Sequence, residues 1–94
     1  MPKAILNGTI VAESNDTVLV EGNHYFRPED VKSDYLVPSE HTSYCPWKGT
    51  ASYHHVVVNG IEATNGAWHY PETKPKADPL RGRYAFWKGV EVVD

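Results

Sequence analysis

Apolar residues along this chain fall in short runs divided by turn-forming pairs, and no uninterrupted segment repeats them at helical spacing. Ala4-Ile5-Leu6 leads into Asn7-Gly8, a strong hairpin signal because both central positions of a type I′ turn need positive φ. Residues 9–12 follow, then the turn formers Ser14-Asn15-Asp16. Residues 17–20, the turn Glu21-Gly22-Asn23 and residues 24–26 complete a meander rich in β-branched and aromatic side chains. Pro28-Glu29-Asp30-Val31 suits one helical turn, with proline at its start and two carboxylates near the positive end of its peptide dipoles.

Tyr35-Leu36-Val37-Pro38 is expected to be extended, and residues 39–50 to form a polar, aromatic-rich connection. Residues 52–58 make a strand, Asn59-Gly60 a second hairpin turn, and residues 61–64 its return. Asn65-Gly66 is a further turn or a bulge before residues 67–70. Residues 71–79, with three prolines, are expected as a surface loop, and residues 84–87 and 90–92 as a closing hairpin around Lys88-Gly89. About eight short strands in so short a chain must curl to bury one face. The expected fold is therefore all-β: a compact antiparallel tent-like or barrel-like bent sheet with one short helical turn.

Length narrows the picture to one small domain over residues 1–94. Nine Lys+Arg against twelve Asp+Glu leave a net charge of −3, which argues against the phosphate backbone of a nucleic acid as the main partner. A single cysteine leaves no internal disulfide and no cysteine-rich zinc cage. Uncharged apolar runs such as Val56-Val57-Val58 are far too short to span a bilayer. Met1-Pro2-Lys3-Ala4 opens without the apolar stretch of a signal peptide, so a cytoplasmic location is expected, with no membrane partner.

Candidate chemistry is thin outside the aromatics. Three Trp, six Tyr and two Phe all lie between Tyr25 and Trp87, either as packing or as the lining of a pocket for a flat or apolar ligand. Cys45 stands three residues before Lys48 and four after His41, and a nearby cation favours the nucleophilic thiolate. His54 and His55 are adjacent in a strand and point to opposite faces, while His24, His41 and His69 are scattered. No HExxH or CxxC spacing occurs, so no metal and no cofactor is expected. Glu29-Asp30 reads as a complement to the turn dipole, and Lys74, Lys76, Arg81 and Arg83 as a solvated basic stretch able to attract an anion.

Tyr25-Phe26, Pro28-Glu29-Asp30-Val31, Thr42, Cys45-Pro46-Trp47-Lys48-Gly49, Ala51, Tyr53 and Ala67-Trp68-His69-Tyr70-Pro71 resemble a bacterial family, the domain of unknown function 427, across residues 3–93. The resemblance implies a compact, mostly antiparallel β fold and carries over Thr42, Cys45, Lys48, Gly49, Tyr53, Trp68, Tyr70 and Pro71 as hallmark positions. A nucleotidyltransferase-like label sometimes attached to the family finds no support in these residues: the acids are scattered, and no Asp-x-Asp pair or glycine-rich phosphate loop is present.

The leading expectation is a binding domain for a small, anionic molecule, in an aromatic-lined pocket built from Thr42, Cys45, Lys48, Tyr53, Trp68 and Tyr70. Lys48 would attract the anionic group. The alternatives are an enzyme with Cys45 as nucleophile and Lys48 holding its thiolate, and a structural or protein-interaction module whose hallmark residues are core. The sequence leaves the oligomeric state open, monomer or homodimer.

Overall fold

The computed structural model describes all 94 residues. Nine strands run in the order β1 (Lys3–Leu6), β2 (Thr9–Glu13), β3 (Thr17–Val20), β4 (Asn23–Phe26), β5 (Leu36–Cys45), β6 (Gly49–Val58), β7 (Ile61–His69), β8 (Tyr84–Phe86) and β9 (Glu91–Val93). They form two antiparallel sheets, a three-stranded one ordered β2-β1-β9 and a six-stranded one ordered β3-β4-β8-β7-β6-β5. Neither sheet closes on itself, so of the two shapes expected the bent open sheet is the one found and a closed barrel is not. Instead of one helical turn there are three, all of the 3-10 kind: Pro28–Asp30, Ser33–Tyr35 and Pro75–Leu80.

The large sheet buries both faces. Adjacent residues on a strand point to opposite sides, so each apolar pair Tyr25-Phe26, Ala67-Trp68 and Ala85-Phe86 feeds two cores. Phe26, Ala67 and Phe86 join Ala4, Leu6, Val11, Ala12, Val56, Val58 and Val90 in a core against the small sheet. Tyr25, Trp68 and Ala85 join Ala51, Tyr53, Tyr70, Ala77 and Leu80 in a second core on the other face. Tyr25 and Phe26 are wholly buried although consecutive.

Residues 84–87 and 90–92 do not close a hairpin: β8 pairs with β4 and β7 in the large sheet and β9 with β1 in the small one, so Lys88-Gly89 carries the chain from one sheet to the other. The expected meander likewise divides after β2, since β1 and β2 belong to the small sheet and β3 and β4 to the large one. Three further segments differ from the sequence expectation. The connection expected over residues 39–50 is strand through Cys45, because β5 is the outer strand of its sheet and most of its side chains face solvent. A strand wet on nearly all sides shows no hydrophobic alternation. Asn65-Gly66 is a bulge inside β7, with Asn65 at φ 53° and the β6–β7 register slipping between His54 and Val56. Gly66 is required there, since a Cβ would lie 2.7 Å from that of Ala63. The loop expected over residues 71–79 contains a 3-10 turn whose Ala77 and Leu80 are buried, so it roofs the second core and is not merely surface.

Candidate functional site

The turn between β5 and β6 carries Cys45-Pro46-Trp47-Lys48-Gly49, and its shape depends on the last residue. Gly49 sits at φ 120°, and a Cβ there would come within 3.1 Å of the Glu72 carbonyl oxygen. Only glycine accepts both conditions. The close approach lets the Lys74 amide donate to the Lys48 carbonyl at 3.1 Å, tying the turn to the segment that roofs the second core. Lys48 is thereby turned inward and is only 7% exposed, a depth at which a charged lysine needs partners.

Those partners come from the β3–β4 turn and from the aromatic core. The Lys48 ammonium donates to the carboxylate of Glu21, which is itself half exposed. It also stands 5.6 Å from the centre of the Tyr70 ring and 5.4 Å from that of Trp47. Burial works against the charge, but the hydrogen bond to Glu21 and the neighbouring Tyr25, Tyr70 and Glu21 outweigh it, and the ammonium pKa lies above the ordinary lysine value. The same bond holds the Glu21 carboxyl below its usual range. Burial pushes the phenols of Tyr25 and Tyr70 upward, against the pull of the Trp68 hydrogen bond on Tyr25 and of the Lys48 charge on both. At neutral pH the group is one cation, one carboxylate and two protonated phenols.

Beside this pair lies a cleft of about 220 Å³ lined by Asn23, Lys48, Tyr53, Trp68, Tyr70 and Trp87. Trp68 donates its indole N–H to the Tyr25 hydroxyl at 3.2 Å, which orients its ring. Trp68 and Trp87 meet edge to face with centroids 5.3 Å apart, and Tyr53 lies 6.5 Å and 6.4 Å from them. Trp87 is 41% exposed yet fixed by the β7 bulge: its indole N–H donates to the Asn65 carbonyl at 2.7 Å and its amide to that of Gly66 at 2.9 Å. Ser43 and Tyr53 share a hydrogen bond of 3.0 Å between hydroxyls.

Of the six residues expected to build one pocket, Lys48, Tyr53, Trp68 and Tyr70 line this cleft, and Thr42 and Cys45 do not. Thr42 pairs with Ser52 and so lies on the opposite face from Tyr53; it is exposed. Cys45 is half-buried, pairs with Gly49 and packs on the edge of the second core, and no hydrogen bond joins its thiol to a histidine. Asn23, Trp87 and the closing carboxylate of Glu21 were not among the expected residues. Glu21 and Asn23 flank a glycine in a turn and read as turn formers, and Trp87 comes near Trp68 only through β7–β8 pairing.

A second polar cluster occupies the other face of β6, β7 and β8. His69 stacks on Tyr84 with centroids 4.5 Å apart, and His54 stands edge-on to both. Burial, with the charge of His54 adding to it, lowers His69 to about 4. His54 is lowered too, by burial and then by His55. No three His, Cys, Asp or Glu side chains of the chain converge on a common point.

The family pattern described as Domain of unknown function (DUF427) matches residues 3–94, and the chain belongs to that family. No curated protein matches it.

Proposed function

We propose that this member of the DUF427 family binds a small, flat, anionic molecule in the cleft between Lys48 and Trp87. The observation that carries the reading is a nearly buried ammonium forming one wall of a cleft whose other walls are the rings of Tyr53, Trp68, Tyr70 and Trp87. Aromatic walls favour a planar body. Lys48 selects the sign of the charge, because a cationic ligand would meet a like charge where solvent screening is weak. A volume of about 220 Å³ suits one small ring with its acidic group.

Benzoate, benzamide and benzylamine test this as probes of equal shape and different charge. Benzoate is expected to quench the exposed Trp87 and to raise the melting temperature, with benzamide weaker and benzylamine without effect. Lys48→Met removes the benzoate response, whereas Cys45→Ser retains it, since the thiol lies outside the cleft. Equal responses to all three probes, or an unchanged benzoate affinity in a folded Lys48→Met protein, would overturn the reading.

A further inference from the structure

Four two-residue turns share one backbone form, a residue near φ 50° followed by glycine: Asn7-Gly8, Glu21-Gly22, Asn59-Gly60 and Lys88-Gly89. Asparagine is the natural choice at the first position, because its short polar side chain tolerates the left-handed region that longer side chains avoid. Two turns follow that preference and two depart from it. Of the two departures, Glu21 is the one whose charge meets a charged residue lining the cleft. Glu21 reaches the Lys48 ammonium, and Lys88 holds its own ammonium 4.7 Å from the centre of the Trp87 ring. A turn residue that is unfavourable for its backbone and useful only through its charge marks a functional position.

We propose, resting on the binding reading above, that Glu21 is a resident stand-in for the ligand's carboxylate, and that the physiological ligand is a flat monocarboxylate whose acid group displaces it. Glu21 meets Lys48 with the group such a ligand would offer, one planar carboxylate on one ammonium. A phosphate dianion would leave a surplus negative charge beside that single buried cation. Glu21 is exposed and sits at a hairpin tip, so it swings into water at small cost, while Lys48 stays seated and needs a replacement partner. The ligand is thus admitted only in exchange for Glu21. Between ligands, the cleft keeps its ammonium neutralised.

Glu21→Gln separates the two ideas, because the amide keeps the shape of the side chain and gives up its charge. Titrated with benzoate under tryptophan fluorescence, the variant is expected to bind on the order of tenfold tighter than the parent, the size of one lost charge-assisted competitor. Benzamide affinity is expected to stay within about twofold, and the double variant Glu21→Gln/Lys48→Met to lose the binding of benzoate. Benzoate binding that depends on Lys48 but is no tighter in Glu21→Gln overturns the stand-in role and leaves the binding function intact. Absence of benzoate binding in both proteins, each folded by circular dichroism, overturns both. Equal tightening for inorganic phosphate would assign the site to anions in general and overturn the carboxylate class.

Discussion

Lys48 is the one lysine whose charge lies inside the protein, and His69 is the clearest case of a side chain kept uncharged there. The histidine makes the more direct prediction for stability. An unfolded His69 takes up its proton near pH 6.5, whereas the folded one waits until about 4. Between these values the unfolded state binds more protons, so stability is full above pH 6.5 and declines as the pH falls toward 4. His54 adds in the same direction. Urea midpoints at pH 7 and pH 5 are expected to drop for the parent protein and to drop less for His69→Phe, which keeps a ring against Tyr84 and removes the titration. A variant with an equal drop would show that His69 is not responsible. Lys48, Tyr53, Trp68 and Tyr70 were legible as one group in the sequence because two short strings carry them. Glu21 and Trp87 were not, since their roles exist only through pairings across the fold: the β3–β4 turn folding over Lys48, and the bulge carbonyls holding an indole.

Among the elements, the turn Pro75–Leu80 does more than its composition suggests. Leu80 is 1% exposed beneath it, in the same core as Tyr25, Trp68 and Tyr70. Leu80→Ala is expected to cost about 2–5 kcal/mol by chemical denaturation. It should also weaken any ligand of the cleft, because the rings that form the walls lose their backing. The strand β5 is the opposite case, ten residues long with one edge unpaired. Pro38 withholds an amide, Glu40 adds a charge, and the register slips between Pro38 and Thr42, all of which discourage a neighbour from pairing there. Restoring a regular edge with Pro38→Thr and Glu40→Thr is expected to produce concentration-dependent self-association by analytical ultracentrifugation; a protein whose sedimentation is unchanged would show that these residues do not protect the edge. Exposure also explains why β5 escaped the sequence pattern. Residues 52–58, where Tyr53, Val56 and Val58 are buried, did not escape it.

For the molecule as a whole, the all-β class and the alternating hairpins could be read from Asn-Gly pairs and β-branched runs. The division into two sheets could not, because it depends on which strands become neighbours. Nothing in Tyr25-Phe26 says that one ring will serve the cleft and the other the packing between sheets. That duality couples the two halves: Phe86 and Ala85, or Ala67 and Trp68, cannot move without disturbing both cores. Phe26→Ala, wholly buried on the side away from the cleft, is therefore expected to cost about 3–5 kcal/mol. It should also blunt the fluorescence response to benzoate, whereas an unaltered response would show the two faces to be independent.

The pairing of β1 with β9 has a kinetic consequence. Lys3 lies opposite Val93 and Ala4 opposite Val92, so the small sheet joins segments nearly the whole chain apart. Such a contact is rewarded only after a long loop has been closed, which puts this fold among the slower small domains. The local hairpins β3–β4 and β6–β7 are expected to form early by comparison, and β9 to dock late. Until it does, β1 shows an open edge and Val90 lacks its place in the core. The interval before that docking is when an unfolded neighbour has its best chance to pair with β1 in the place of β9.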